Sequence, residues 1–222
     1  MWNLGFTKQT IAQRRQAGFT VLELMVATTV FAVVLLVLTA GVLSFSKSYF
    51  SSTTRGNTQV VARALIDDIA KTIQFGQSVP TTNSTGNTKV LCLDNVQYLY
   101  ATGFQVSAAT NIPQHQSKYG VIKRVSTTGC PAPADITGGF AFNSTTDKEL
   151  LAKHMRISKL DVLQLGNNTY TVNIRVAYGD DDLFGITGPT PVWATIVCKD
   201  GAGSQFCAVS DLSTTVQQRI TK

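Results

Sequence analysis

Charge is scarce in this chain. Only 14% of its 222 residues are Asp, Glu, Lys or Arg, against about 25% in an average soluble domain. Combined with 44% hydrophobic residues, that scarcity excludes an intrinsically disordered chain. Histidine is rarer still: His115 lies in a polar stretch and His154 beside Lys153 and Arg156, and both read as solvated surface residues. Gly-x-Ser-x-Gly, His-Glu-x-x-His, Walker and dinucleotide fingerprints are absent, so no enzyme and no cofactor is expected. Collagen and heptad periods and internal repeats are lacking too, which removes the fibrous and solenoid classes. No Cys-x-x-Cys pair exists among the four cysteines, and their spacing does not suit zinc.

What the chain does have is unevenly placed. Of the net charge of +6, Lys8, Arg14 and Arg15 supply half before residue 19, with no acid among them. From Leu24 to Phe45 there follow 22 residues without a charge. As a helix that run reaches about 33 Å, close to the ~30 Å hydrocarbon core of a bilayer. Basic residues ahead of it place the N-terminus in the cytoplasm and the chain beyond Lys47 outside. An ordinary secretory signal has an apolar core of about 7–15 residues and a small-residue cleavage site. This run is longer, and Leu38-Thr39-Ala40 is a poor site of that kind.

At the junction stands Ala17-Gly18-Phe19-Thr20-Val21-Leu22-Glu23-Leu24-Met25. An acid inside an apolar helix costs roughly 2.5–3.5 kcal/mol at a bilayer centre and less near the interface, so Glu23 needs water or a partner. Basic leader, Gly, Phe-Thr, then Glu at the fifth place after Gly: this arrangement resembles the processing motif of type IV prepilins and pseudopilins. The resemblance implies cleavage after Gly18 by a prepilin peptidase and N-methylation of Phe19. It implies that the apolar segment survives cleavage, holds the subunit in the inner membrane and later forms a filament core. Glu23 would pair with the freed amine of Phe19, since a buried carboxylate is tolerable only when matched by a cation. Many major pilins bend this helix at a proline; here the corresponding stretch reads Leu38-Thr39-Ala40-Gly41, which weighs against a main shaft-subunit role.

Residues 46–76 read as the helix continuing into an exported domain. Val61, Leu65, Ile69 and Ile73 recur at steps of four beside Ala62 and Ile66, an apolar stripe for packing on a sheet. Gly56 is expected to kink or fray it, and Gly76 and Pro80 to end it. Ser78–Thr88 reads as a loop. Strands are expected at Lys89–Leu93, Val96–Tyr100, Tyr119–Ser126 and Val192–Lys199. The clearest is Thr169–Tyr178, where Tyr170, Val172, Ile174, Val176 and Tyr178 alternate with polar or small residues. Its hairpin partner is Ile157–Leu165 across a three-residue turn, Gly166-Asn167-Asn168. The class is therefore α+β: a long N-terminal helix packed on an antiparallel sheet domain, pilin-like in layout. The expected organisation is a leader at 1–18, a membrane or filament-core helix at 19–45, its amphipathic half at 46–76 and a globular domain at 77–222.

All four cysteines follow the apolar run and so face an oxidising compartment, where disulfides form. Of the three possible pairings, Cys198–Cys207 closing a small loop and Cys92–Cys130 bridging a longer one are favoured. The run from Leu160 through Trp193 and Cys198…Cys207 to Arg219 is similar to the C-terminal domain of W-type minor pilins and J-type pseudopilins. Those subunits sit in a small complex at the filament tip that primes assembly. Asp180-Asp181-Asp182 is a weak calcium candidate, since hard cations take clustered carboxylates, but it lacks EF-hand spacing and a solvated turn is the plainer reading. No other metal site is expected. Lys118, Lys123, Arg124, Lys148, Lys153, Arg156 and Lys159 outnumber Asp135, Asp147 and Glu149. DNA phosphates could engage such a stretch, though no stacking or groove-reading module accompanies it.

The expected protein is thus a minor pilin-like subunit of a type IV pilus or related filament, serving adhesion, twitching motility or DNA uptake. Its expected partners are other pilins, the prepilin peptidase, an inner-membrane assembly platform and membrane lipid. Two alternatives stand beside it: a type II secretion pseudopilin, and a membrane-anchored exported ligand-binding domain unrelated to filaments.

Overall fold

The structure, a computed structural model, describes residues 18–103, 105–106, 113–114, 120–136, 142–186 and 195–219. Among the described residues the one α-helix, α1, runs Val21–Phe75. The chain divides into two compact units, one up to Phe45 and one from Ser46 on.

In the first unit α1 is apolar on every side, with an 18-residue window of mean hydropathy 2.6 and none of it buried. It is long and apolar enough to cross a membrane. In the second unit the same helix is amphipathic. Ala62, Leu65, Ile66, Ile69 and Ile73 are buried together with Thr58, and Val61 packs beside them, so the stripe faces the core.

That stripe covers antiparallel sheets. The strands are β1 Thr81–Thr85, β2 Thr88–Leu93, β3 Val96–Ala101, β4 Gln105–Val106, β5 Pro113–Gln114 and β6 Val121–Val125. They continue with β7 Asp147–Glu149, β8 Met155–Gly166, β9 Thr169–Tyr178, β10 Phe184–Ile186, β11 Ile196–Cys198 and β12 Ala208–Gln217. One sheet has the order β1-β2-β3-β6-β7, a second β12-β9-β8, and β10-β11 and β4-β5 form two short ladders. One long helix on antiparallel sheets is an α+β fold, in keeping with a pilin-like layout.

The near-continuous apolar runs of β2 and β3 follow from burial on both faces. Leu91, Leu93, Tyr98 and Tyr100 join the helix in the main core, while Val90, Cys92, Leu99 and Ala101 form a second core with Ile122 and Ile136 behind the sheet. β9 alternates instead: Tyr170, Val172, Ile174 and Val176 point into the main core. On β8 the buried set steps from Ile157 to Leu160, because a bulge between Ile157 and Lys159 resets the register.

Several expectations need correction. Ser78–Thr88 is not all loop: β1 pairs along β2 from Thr81↔Cys92 to Thr85↔Thr88. Its β-branched threonines suit an exposed edge strand that carries no apolar alternation. The β8–β9 turn has two residues, Asn167 and Asn168, both at positive φ (49° and 56°), with Gly166 already paired to Thr169; this is the primed hairpin geometry. Gly56 does not interrupt α1, since the buried stripe that follows it holds the helix through tertiary packing. The helix does end before Gly76, where a Cβ would stand 2.8 Å from both the Asp94 carboxylate and the Thr72 carbonyl. Asp94 then accepts the N–H groups of Gln77 and Ser78, each at 2.7 Å. The strand expected at Tyr119–Ser126 is Val121–Val125, and that at Val192–Lys199 is Ile196–Cys198. Tyr119, Val192, Trp193, His115 and Lys118 lie outside the described residues, as does the leader up to Ala17.

Candidate processing and assembly site

The motif residues open the described chain. Gly18, Phe19 and Thr20 lie ahead of the helix and are exposed, and the first helical residue is Val21. Thr20 is the N-cap: its Oγ1 accepts the N–H of Glu23 at 3.2 Å, and its carbonyl accepts the N–H of Leu24 at 3.2 Å. That satisfies donors the first turn would otherwise leave open. Glu23 therefore sits in the first turn, where the partial positive charge of the helix end favours an anion. The residues Phe19 and Glu23 are brought to the same helix end, one turn apart, with Phe19 81% exposed. The role of Thr20 was missed from sequence, although the spacing Thr20-x-x-Glu23 is the capping-box signal that announces it.

Beyond the cap, Leu22, Phe31, Leu36 and Phe45 are largely exposed. The polar atoms of this segment are turned inward. Thr28 donates its hydroxyl to the Met25 carbonyl at 3.0 Å, Thr29 to Val26 at 2.8 Å and Thr39 to Leu35 at 2.9 Å. Hydroxyls satisfied within their own helix can enter hydrocarbon without an orphaned donor. The threonines thus make the segment compatible with lipid or with neighbouring helices, rather than loosening it.

In the second unit Cys92 is bonded to Cys130 and Cys198 to Cys207. Each bond lies in a satellite core: the first behind the five-stranded sheet, the second with Ala177, Phe184 and Ile196. Two of the three aspartate carboxylates are engaged in other contacts. Asp180 Oδ1 lies 2.8 Å from His154 Nδ1, and the Asp181 carboxylate pairs with Arg156. Asp182 gives its carbonyl to Lys199 Nζ at 2.8 Å. Among the described residues no group of three or more His, Cys, Asp and Glu is arranged to hold a metal ion.

The basic residues are largely neutralised in the same way. Lys123 bonds to Asp68, Arg124 to Asp147, Arg156 to Asp181 and Lys159 to Asp161, which accounts for four of the six described cations between 118 and 159. Arg156 is buried, donates to the Gly179 carbonyl at 2.9 Å and lies over the Phe184 ring. The hydrogen bond that Arg124 donates to Asp147 holds its guanidinium above its ordinary range. Burial alone would raise the Asp147 carboxyl, but donors from Arg124 and the Asn143 backbone carry it below the usual range. These groups are structural ties.

No curated protein and no solved structure matches the chain. A short N-terminal segment does match a family model, at the residues whose geometry is given above. Residues 13–39 fit the prokaryotic N-terminal methylation motif, and the chain thereby carries the type IV prepilin-like signal, with Gly18, Phe19 and Glu23 inside the matched stretch.

Proposed function

We propose that this chain is a minor pilin-like structural subunit of a type IV pilus or related filament, placed in a small tip complex that primes assembly. One conjunction carries the reading: the methylation motif at residues 13–39 opens a helix whose large apolar side chains from Leu24 to Leu43 stand exposed. A helix apolar on all sides must be covered by lipid or by other helices. In this mechanism the segment uses both in turn, first as a single-pass anchor and then packed among neighbouring subunits.

The peptidase removes residues 1–18 on the cytoplasmic side, where Lys8, Arg14 and Arg15 remain. Methylated Phe19 becomes the new terminus, and its amine offsets the charge of Glu23 in the same or an adjacent helix. Residues 46–222 are exported, where an oxidising compartment suits the two disulfides. Other pilins, the peptidase and an inner-membrane platform are the partners, and the work is assembly rather than catalysis. A helix without proline and a loop-rich exported domain favour the tip over the shaft. The prevalence of ion-paired cations argues that DNA is not the principal ligand.

Mass spectrometry of the protein from peptidase-positive cells tests the core of this reading. The expected N-terminus is N-methyl-Phe19. A chain retaining residue 1, or one released without residues 24–45, overturns it.

A further inference from the structure

Where α1 leaves its apolar run, a cleft of about 1020 Å³ lies between the helix and the loop closed by Cys198–Cys207. One wall repeats every four residues along the helix: Lys47, Ser51, Arg55 and Gln59. The other is the loop itself, with Lys199 and Ser204. Three cations face the lone carboxylate of Asp200 among the lining side chains. Lys47 and Arg55 are exposed and pair with no acid among the described residues, whereas Lys123, Arg124, Arg156, Lys159 and Arg175 are each paired. Gly56 also lines the cleft. It sits inside a helix, where glycine is unfavourable, yet a Cβ there would meet nothing within 4 Å. The fold gives no packing reason for this residue; what its missing side chain leaves is room.

Beside the cleft lies an aromatic cluster. Phe50 meets Phe206 of the loop at 5.6 Å between ring centroids, with Tyr49 at 6.0 Å from Phe50, and all three are exposed. Lys47 follows the uncharged run by two residues and Tyr49 by four, within about a turn along the helix. Aromatic rings and basic side chains at the end of a membrane span are the composition of the lipid–water interface.

The geometry points to a binding site for the headgroup of an anionic phospholipid, its phosphodiester held by Lys47, Arg55 and the serine hydroxyls, its glycerol and upper acyl carbons against Tyr49, Phe50 and Phe206. A soluble phosphate would use the cations and leave the aromatic cluster without a role, so the lipid is the occupant that accounts for both halves. The inference rests on the anchored reading of residues 24–45.

The test uses the full chain in neutral detergent micelles doped with phosphatidylglycerol or with phosphatidylcholine of the same acyl chains, bound lipid being counted by native mass spectrometry. Phosphatidylglycerol is expected to be retained about thirtyfold more, in line with the attraction of two cations near an anionic lipid surface. Lys47→Gln with Arg55→Gln should abolish that preference, and Gly56→Leu, which keeps every charge, should reduce it by filling the cleft. Lys71→Gln with Lys153→Gln, removing the same charge elsewhere, should leave it intact. Equal retention of the two lipids, or equal losses in the cleft pair and the control pair, overturns the site. Binding of soluble glycerophosphoglycerol as tight as that of the lipid overturns the choice of occupant. A chain that stays outside the micelles overturns the anchored reading itself.

Discussion

Lys123 Nζ lies 2.8 Å from both carboxylate oxygens of Asp68, tying strand β6 to the amphipathic half of α1. Tyr98 donates its hydroxyl to the same carboxylate at 2.8 Å, and Thr72 stands 2.9 Å from the Tyr98 oxygen. The phenol is fully buried, and burial first, then the nearby Asp68 charge, pushes its ionisation above the ordinary tyrosine range; it stays a donor. These contacts fix the rotation of the helix over the sheet, which the apolar stripe alone leaves adjustable. Asp68→Ala is expected to cost about 1–2 kcal/mol in denaturant unfolding, because the buried Tyr98 loses an acceptor. The Asp68–Lys123 coupling in a double-mutant cycle should be smaller, about 0.5–1 kcal/mol, both groups being partly exposed. A coupling near zero would mean that the ion pair does not position the helix.

Glu149 predicts a pH dependence of the opposite sense to the usual carboxylate. Its Oε1 accepts the N–H groups of Gly120, Val121 and Leu151, while Oε2 is buried with no partner among the described residues. Desolvation outweighs the donors and pushes the carboxyl up to about 7 from 4.5. The folded state therefore holds the proton more tightly than the unfolded one. The contribution of Glu149 is fully present below about pH 4.5 and is lost as pH rises through about 7. Glu149→Gln should remove this slope, and the difference between the two stability curves should grow by about 1–3 kcal/mol across that window. Melting curves of both proteins from pH 4 to 8 measure it, and parallel curves would refute the assignment.

The two disulfides should differ in weight. They close separations of 38 residues for Cys92–Cys130 and 9 for Cys198–Cys207, and loop entropy assigns them roughly 4 and roughly 2.5 kcal/mol. Removing the pair at 92 and 130 by alanine should lower the unfolding midpoint more than removing the pair at 198 and 207. The second change should act locally, on the loop 199–206 and its contact with Phe50, which hydrogen exchange resolves. A larger global loss from the short loop would reverse the ranking.

How much of this was legible beforehand depends on which faces are buried. β9 alternates because one side meets the core, and its bounds Thr169–Tyr178 coincide with the pattern. β2 and β3 were legible as apolar runs because two cores sandwich them. β12 was not: its buried positions include Ser210 as well as Ala208 and Val216, so half of the alternation is written in polar residues. β1 failed for the same reason, its hydroxyls being carried by an exposed edge. β7 is three residues long, too short for any period, and is held by Arg124–Asp147. At the N-terminus the motif itself was plain, but the capping geometry of Thr20 depends on where the helix starts, which hydrophobicity does not mark.

The cap and the carboxylate can be separated by mutation. Thr20→Ala removes the acceptor for the Glu23 N–H and should cost about 1 kcal/mol of local helix stability, fraying the turn that presents Glu23. Glu23→Gln keeps side-chain volume and hydrogen bonding but removes the charge, whereas Glu23→Ala removes both. If the carboxylate serves assembly by matching the freed amine of Phe19, Gln and Ala should impair filament incorporation alike. Membrane insertion, driven by the apolar run from Leu24 to Phe45, should persist in both, because losing an acid lowers the cost of entering lipid. Thr20→Ala should give a milder loss, since its charge pair survives in a looser turn. Membrane fractionation and filament recovery read the two outcomes apart. Incorporation of Glu23→Gln at the wild-type level would show that the negative charge is dispensable and that Glu23 acts only through the geometry of the first turn.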